Sequence, residues 1–473
     1  MTSDGLSNMD LVAVAEAIRR REISSVEATR GCLERIERLQ PKLNCFIALD
    51  AEEALAAARR ADEELAKGVV RGTLHGVPLA HKDMLYRAGR TTTCGSKIQK
   101  DFVPNYTATV HERMEAAGAI NLGTLNMSEF AFGPCGHNAH WGHCRNPWDT
   151  DHITGGSSSG SASAVAGRLV FGALGSDTGG SIRLPAGLCG LTGLKPTQGR
   201  VSRHGVMPLS FSLDQVGPLT RSVRDCARLF SVIAGHDPKD RTSSMVPVED
   251  YEARLSGGAR GIRVGVPTNY FYDGIADEIR ASMESSLRVL RDLGAEVIDV
   301  EIPHLEDLDA LSNIVMASEA ATIHGNWLRT RPDDYQLQVR QRISVGLFYP
   351  ATKYLEALDL RPRIVEDVIR TVFSKIDVLH APLLAQPVPR IDKTDLGGSR
   401  EAHVVIGSLT RLTRPLNYLG FPGLTVPAGF DHDGLPVAFQ LLGRPFSEAM
   451  LLRVGHAYQS ETDWHLRLPN LSE

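Results

Sequence analysis

The sequence has no long apolar run, no cluster of basic residues and no signal-peptide pattern, and each absence excludes a class of protein. No apolar stretch reaches the roughly 18 residues that a membrane-spanning helix needs. The N-terminal segment lacks the basic-then-apolar order of a secretory signal. The net charge of −5 is spread without a Lys- or Arg-rich block, which does not indicate a broad nucleic-acid surface. We therefore expect a cytoplasmic protein.

Cysteine is scarce and nucleotide-binding motifs are missing. The seven cysteines are scattered and odd in number, which favours reduced thiols over a disulfide framework. No glycine is followed by the Lys-Ser or Lys-Thr pair of a P-loop, and no G-x-G-x-x-G follows a convincing strand. An apolar content of 42% and a charged content of 23% are those of an ordinary globular chain.

Helical and strand patterns alternate along the chain. Ser24 and Glu27 have the spacing of a capping box, and apolar residues recur after them at helical intervals. Short buried strands are predicted at "HGVPLAHKDM", "IDVLHAPL", "GLTVPAG" and "PVAFQLLGR". This alternation predicts an α/β fold with a large internal sheet.

Glycine and serine concentrate in residues 155–187, which read "GGSSSGSASAVAGRLVFGALGSDTGGSIRLPAG". One interpretation is a helix of small residues packed in the core, with glycines at the turns. The other is an acyl-transfer site, because "GSDTGGS" offers consecutive backbone N–H groups to an oxyanion just before Ser181. A serine nucleophile needs a base, and Lys82, at the end of an apolar segment, could act as one if burial lowers its pKa.

These segments together resemble the amidase signature family over nearly the whole chain. The serine- and glycine-rich stretch continues into "LCGLTGLKPTQGRVS" and "SLDQVGPLTRS", which are similar to the family's central signature. "LHGVPLAHKDM" is similar to its upstream lysine segment, and "RPLNYLGFPGLTVPAGFDHDGLPVAFQLLGRPFSEAMLL" to its C-terminal end.

The resemblance implies the family's fold, an α/β architecture in which helices flank both faces of a large mixed β-sheet, with a helical region at the N-terminus. We expect one amidase signature domain over residues 1–473. Within it we place the following parts: an N-terminal helical region at 1–65, a catalytic core at 70–235, a variable substrate-pocket region at 236–350, and a C-terminal part of the core at 370–473.

The resemblance also implies a Ser–Ser–Lys catalytic group. Ser181 matches the nucleophile, Ser157 the bridging serine that follows a cis peptide bond, and Lys82 the base. The remaining site residues are predicted as follows: Thr178, Gly179 and Gly180 as oxyanion-hole donors, Ser158, Asp177 and Arg183 as supporting residues, and Met127, Arg183 and Arg342 as substrate-binding residues. No cofactor is expected.

The segment "CGHNAHWGHC" packs His137, His140 and His143 between two cysteines, which is the composition of a zinc site. Its spacings are not those of a zinc finger or ribbon, and no second ligand cluster follows downstream. The family commonly carries a similar loop beside its active site without a metal. We therefore predict a structural or pocket-lining loop and no metal.

Two functions agree with these residues. The first is a stand-alone amidohydrolase that cleaves a carboxylic amide to an acid and ammonia or an amine. The alternative is the A subunit of the tRNA-dependent amidotransferase, which uses glutamine as its ammonia donor. Thr410 stands where that protein carries an Asp, and Ser312 and Asn313 stand where it shows tyrosines, whereas Arg342 matches its carboxylate-binding arginine loosely.

These departures favour the amidohydrolase, since charged groups supply the specificity for a glutamine zwitterion. On that basis the expected partner is a small-molecule amide, with no membrane and with a homodimer as a possible assembly. No nucleic acid is expected unless the amidotransferase alternative holds.

Overall fold

The computed structural model of the chain describes residues 3–471. Within them, eleven strands form one mixed sheet. The strands are β1 (Phe46–Leu49), β2 (Pro78–Lys82), β3 (Ile120–Leu125), β4 (Gly172–Asp177), β5 (Thr192–Lys195), β6 (Gln215–Thr220), β7 (Arg263–Pro267), β8 (Glu296–Val300), β9 (Val378–Pro382), β10 (Gly423–Phe430) and β11 (Pro436–Leu442). Their spatial order is β1-β3-β2-β4-β6-β5-β10-β11-β9-β7-β8.

Helices flank both faces of this sheet, which confirms the predicted fold class. They are α1 (Ser3–Asn8), α2 (Leu11–Arg19), α3 (Ser25–Leu43), α4 (Ala51–Ala66), α5 (Thr109–Ala116), α6 (Ser159–Ala166), α7 (Arg183–Leu188), α8 (Val223–Ile233), α9 (Asp277–Asp292), α10 (Leu305–Thr330), α11 (Leu337–Val345), α12 (Ala351–Thr371), α13 (Arg400–Thr410), α14 (Arg414–Leu419) and α15 (Glu448–Ser460).

Local sequence signals account for several element boundaries. The Ser24 hydroxyl accepts from the Glu27 N–H at 3.0 Å, and the Glu27 carboxylate accepts from the Ser24 N–H at 2.7 Å, so the predicted capping box begins α3. The four strands predicted from apolar runs are present as β2, β9, β10 and β11. The N-terminal region differs from the expectation of helix alone, because β1 lies within it and pairs antiparallel with β3.

The sheet brings β2 and β4 side by side as parallel strands, with Ala80 opposite Ala173 and His81 opposite Leu174. Their carboxyl ends therefore lie at the same edge, where ligands bind in open α/β sheets. Lys82 ends β2 and Asp177 ends β4.

Strands from both sides of the predicted variable region share this one sheet. The division of the chain into the parts given above remains a prediction. Along residues 3–471, none of the helices combines the length and the apolar character needed to cross a membrane.

Candidate active site

Lys82 lies at the centre of a cluster of serine hydroxyls. Its side chain is 1% exposed, and its Nζ is 2.7 Å from Ser157 Oγ, 3.1 Å from Ser158 Oγ and 2.9 Å from Ser176 Oγ. Burial lowers the pKa of Lys82 to about 7, against the opposing charges of Asp177 and Asp214. A large fraction of this amine is therefore neutral near neutral pH and is able to accept a proton.

Ser157 follows a cis peptide bond from Gly156, as the family resemblance implies. A Cβ at Gly156 would lie 2.5 Å from the Gly133 carbonyl oxygen and 2.7 Å from the Gly136 nitrogen. No side chain fits there, which explains the glycine. The Ser157 carbonyl accepts from the Ser128 N–H at 3.1 Å, and this bond fixes the junction before α6.

Ser181 is buried and follows the loop after β4. The Ser158 N–H donates to the Ser181 carbonyl oxygen at 3.3 Å, so the backbone holds the two predicted serine segments together. Across the described part of the chain, no hydrogen bond joins the hydroxyls of Ser157 and Ser181. Catalytic hydrogen bonds are often long before substrate binds, and the role of Ser181 as nucleophile remains a prediction.

The loop between β4 and Ser181 presents the predicted oxyanion donors. The Gly180 N–H donates to Asp177 Oδ1 at 2.8 Å, so it is already used inside the protein. This contact leaves the N–H groups of Thr178 and Gly179 as the candidate donors and removes Gly180 from the predicted set. Gly180 has a φ of +128°, and a Cβ on it would collide with Thr413 Oγ1 at 2.3 Å.

Asp177 and Arg183 form a fully buried ion pair beneath this loop, with 3.1 Å between Arg183 Nε and Asp177 Oδ2. Burial by itself would raise the pKa of Asp177, but the charge and hydrogen bonds of Arg183 outweigh it and hold this pKa at about 2. Arg183 also donates to Gln440, to the Thr413 carbonyl and to Asn417.

The position of Arg183 agrees with its predicted supporting role. The prediction that Arg183 binds substrate is wrong, because its guanidinium is 0% exposed and is engaged by protein groups.

The other two predicted substrate-binding residues have different environments. Met127 is completely buried within the main hydrophobic core, and its place in the acyl pocket remains a prediction. Arg342 lies on α11, where its guanidinium donates to the Phe132 carbonyl at 2.9 Å and stacks 4.0 Å from the centre of the Phe132 ring. Arg342 therefore remains a candidate.

The three histidines of the predicted loop have separate partners. His137 Nε2 is 2.8 Å from Thr394 Oγ1, His140 Nε2 is 3.0 Å from Glu129 Oε1, and His143 Nε2 is 3.0 Å from Asp395 Oδ2. Over residues 3–471, no group of three or more His, Cys, Asp or Glu side chains could hold a metal ion. The loop is anchored by polar contacts to neighbouring segments.

Sequence reasoning missed three polar residues around the site. Ser176 is the third hydroxyl partner of Lys82. Asp214 accepts from the Thr178 hydroxyl at 2.5 Å, and burial raises its pKa to about 6. Asn417 donates to Asp177 Oδ1 at 2.8 Å. Ser176 stands inside "GSDTGGS" and Asn417 inside "RPLNYLG", but only the folded chain identifies their partners.

Comparisons with known proteins extend this description to the whole chain. The family model described as Amidase matches residues 27–452. The A subunit of the glutamyl-tRNA(Gln) amidotransferase of Chloroflexus aggregans is 41% identical over 485 residues, which cover 99% of this chain and 99% of that protein.

Two solved structures share the fold closely. One is described as an unexpected vestigial protein complex that reveals the evolutionary origins of an s-triazine catabolic enzyme. It has a TM-score of 0.90 and 35% identity, covering 96% of this chain and 98% of that one. The other is the A subunit of the glutamyl-tRNA(Gln) amidotransferase from Thermotoga maritima. It has a TM-score of 0.81 and 31% identity, covering 100% of this chain and 98% of that one.

These relatives correct the predicted partner and favour the other of the two predicted functions. The expectation of a small-molecule amide as the partner, without a nucleic acid, is wrong, because relatives matched over nearly their full length are named for a tRNA and as one subunit of a larger enzyme. They also support the amidotransferase alternative better than the stand-alone amidohydrolase that the sequence favoured.

Proposed function

The chain belongs to the amidase family, whose enzymes act on amide C–N bonds, and from this we propose that it is the A subunit of a glutamyl-tRNA(Gln) amidotransferase. In this proposal the chain releases ammonia from glutamine through an acyl-enzyme on Ser181. Lys82 is the base, and Ser157 relays the proton.

The observation that carries the proposal is the 41% identity to the A subunit of an amidotransferase over 99% of both chains. The contact between Lys82 and Ser157 supports the chemistry, because 2.7 Å is a distance at which a proton can pass between the amine and the hydroxyl. The lowered pKa of Lys82 supports its role as a base.

The reaction begins when Ser181 Oγ attacks the side-chain amide carbon of glutamine. As the new C–O bond forms, the Ser181 proton moves to Ser157 Oγ, and the Ser157 proton moves to Lys82 Nζ. The carbonyl electron pair shifts to oxygen, and the N–H groups of Thr178 and Gly179 stabilise that oxyanion. One such donor is typically worth about 3–4 kcal/mol.

The tetrahedral intermediate then collapses. Lys82 returns its proton through Ser157 to the amide nitrogen, because an amide nitrogen leaves poorly unless it is protonated. The C–N bond breaks, ammonia leaves, and a glutamyl ester remains on Ser181. Water hydrolyses this ester to glutamate by the same proton path, which restores the free serine.

The step on tRNA belongs to a partner protein in this proposal. Phosphate backbones are bound mainly by Lys and Arg side chains, whereas this chain has a net charge of −5 and no basic block. The name of the relatives indicates further subunits. We therefore assign ammonia production to this chain and most of the tRNA contact to its partner.

The proposal is tested by measuring ammonia release from glutamine with the purified full-length chain and its Ser181→Ala variant. Loss of the nucleophile should lower kcat by at least about 10⁴-fold. A fluorophosphonate probe should label the wild-type chain at Ser181 and leave the variant unlabelled.

Ser163→Ala is the matched control, because this buried serine on α6 donates to the Arg145 carbonyl and lies outside the proposed machinery. It should keep its glutaminase activity. Undiminished turnover by Ser181→Ala would contradict the acyl-enzyme. Turnover of simple amides without any turnover of glutamine would contradict the amidotransferase assignment.

A further inference from the structure

A second cavity lies across the sheet from the serine cluster. Successive side chains of a strand point to opposite faces, so Lys82 and its neighbour His81 leave β2 on different sides. Lys82 contacts the serines, whereas the His81 ring contacts His111 of α5, with 5.1 Å between the ring centres. Both histidines line a cavity of about 240 Å³ whose other walls include α4 and the start of β3. We call this space the α4–α5 cavity.

The wall of the α4–α5 cavity carries a buried N–H donor. His81 is 2% exposed, and its Nδ1 accepts from the Leu174 N–H at 3.1 Å. The hydrogen of the neutral ring is therefore on Nε2. Among the described residues this Nε2–H has no acceptor, although buried donors in proteins are almost always satisfied. His81 thus offers a donor to an acceptor atom inside the cavity.

Guanidiniums supply most of the other donors. Four of them line the cavity: Arg60, Arg71, Arg87 and Arg90. Carboxylates hold three of these arginines, in the pairs Arg71–Glu64, Arg87–Asp50 and Arg90–Glu53. Within the part of the chain that the structure describes, the Arg60 guanidinium makes no hydrogen bond or ion pair. Each guanidinium has five N–H donors, so the paired arginines also keep donors for a ligand.

Cations outnumber anions in the lining of the cavity. Its four guanidiniums meet two carboxylates, those of Glu53 and Glu115, both exposed to solvent. The carboxylates of Asp50 and Glu64 do not line the cavity. An excess of guanidiniums beside an unused N–H donor is the kind of donor set with which proteins recognise oxyanions.

The two histidines register this positive charge. Burial is the main reason that the pKa of His81 lies well below its ordinary value, and the charges of His111 and Arg87 lower it further. Burial and the charge of Arg87 likewise lower the pKa of His111 to about 3. Both rings are therefore neutral at physiological pH, and the field beside them favours an anion.

We propose that the α4–α5 cavity binds the phosphate group of a small molecule, with the His81 Nε2–H, Arg60 and Arg87 as donors. A phosphate monoester carries a charge of about −1.5 to −2 at pH 7 and three acceptor oxygens, so it can engage donors that approach from several directions. A carboxylate has a single charge and two oxygens in one plane. The site does not depend on the proposed glutamine chemistry, because Lys82 lies on the other face of the sheet.

The test measures the binding of inorganic phosphate and of glycerol 3-phosphate to the full-length chain by isothermal titration calorimetry. Ionic strength is held constant, since salt screens exposed charges. At least one of the two should bind at a single saturable site, at least about 10-fold more tightly than acetate. A preference for glycerol 3-phosphate would identify an organic monoester as the ligand, and a preference for inorganic phosphate would identify the free ion.

Arg60→Gln should weaken phosphate binding by about 10-fold or more, because a charged partner is lost. Arg59→Gln is the matched control. It removes the same charge from the preceding position of α4, which is also exposed but does not line the cavity. This control should bind phosphate as the wild-type chain does.

A second measurement reports on His81 without replacing it in the protein under test. In the wild-type chain with isotope-labelled histidine, saturating phosphate should move the nuclear magnetic resonance signal of His81 Nε2, which is assigned from its loss in His81→Gln. The signal of His380 should stay in place, because this buried ring already bonds to Tyr272 and Ser286.

No saturable binding of either phosphate would overturn the site, as would equal losses in Arg59→Gln and Arg60→Gln. Acetate bound as tightly as phosphate, or a His81 signal that does not move at saturation, would overturn it as well. Dimethyl phosphate bound as tightly as glycerol 3-phosphate would overturn the small-molecule assignment and indicate a nucleic-acid backbone instead. None of these outcomes depends on ammonia release, so the proposed function is tested separately.

Discussion

The surroundings of Lys82 lower the pKa of its amine before any substrate arrives. Ordinary lysines remain protonated at neutral pH, with a pKa of 10.5, whereas burial brings the pKa of Lys82 to about 7. The three serine hydroxyls around its Nζ stabilise the charged form less than bulk water does. The consequence is a base whose protonation state changes within the physiological range.

We expect kcat/KM for amide cleavage to rise with pH through an apparent pKa near 7. Below this value Lys82 is protonated and cannot accept the serine proton, and above it the neutral amine predominates. Measuring kcat/KM from pH 5.5 to 9 checks this. Lys82→Arg keeps a positive charge at every pH in the range and should be inactive throughout; a flat wild-type profile would argue against Lys82 as the base.

Sequence reasoning identified Lys82, Ser157 and Ser158 as neighbours, and the structure places them within hydrogen-bond distance. It failed for the predicted substrate-binding role of Arg183, because a residue type does not show whether its donors are already used. An Arg near a catalytic loop can bind a substrate or hold the loop. Only the network around Asp177 decides that it holds the loop.

At the scale of one element, the loop between β4 and Ser181 depends on glycine. We expect Gly180→Ala to lower the free energy of unfolding by about 2–4 kcal/mol, because it combines a positive φ with a collision against Thr413. The displaced loop should also lower kcat. Urea unfolding and a glutaminase assay would measure the two effects.

Gly434→Ala is the comparison for this prediction. Gly434 also has a positive φ, of +79°, but no atom lies within 4 Å of its would-be Cβ. We expect a loss of about 1–2 kcal/mol from the backbone alone and no change in kcat. Equal losses at Gly180 and Gly434 would show that the Thr413 contact does not constrain the loop.

Whole strands were easier to predict than their pairing. The apolar runs of β9, β10 and β11 are visible in the sequence, because strands buried on both faces are nearly continuous in apolar residues. The strand β1 was missed, since its four residues, "FIAL", follow a long helix and only Phe46 is buried. The ion pair between Arg414 Nη1 and Asp309 Oδ1, at 2.5 Å, was equally invisible in the sequence, because it depends on how α10 packs against α14.

At the scale of the whole molecule, buried titratable groups set how stability depends on pH. Lys82 and Lys195 are buried with pKa values near 7 in the folded chain, against 10.5 as the ordinary value. The unfolded chain therefore binds more protons than the folded chain between about pH 7 and 10.5. The free energy of unfolding should rise with pH there, by up to about 1.4 kcal/mol per pH unit for each lysine.

The cysteines reverse this trend at higher pH. All seven are buried, and burial raises the pKa of each thiol above its ordinary value of 9.0. Above pH 9 the unfolded chain loses thiol protons that the folded chain keeps, and seven thiols outweigh two lysines. We expect the melting temperature, measured from pH 6 to 10.5, to be highest near pH 9.

The Lys195→Met variant separates the contribution of the buried lysines to the pH dependence of stability from that of the buried cysteines. Lys195 is buried, donates to the Pro196 carbonyl at 3.0 Å and lies outside the proposed machinery. Its replacement should remove about half of the increase in melting temperature between pH 7 and 9, while the decrease above pH 9 remains. A wild-type melting temperature that does not rise between about pH 7.5 and 8.5, above the range in which the buried carboxyls of Asp83, Asp214 and Asp225 titrate, would contradict the assignment of neutral buried lysines.

The neighbouring ends of β2 and β4 carry Lys82 and the loop to Ser181, whereas α10 and α11 belong to the predicted substrate-pocket region at 236–350. On these predictions, the residues that break the amide bond and those that select the substrate are encoded by separate stretches of the chain. We expect substitutions in these two helices to change which amide is accepted and to leave the contact between Lys82 and Ser157 in place.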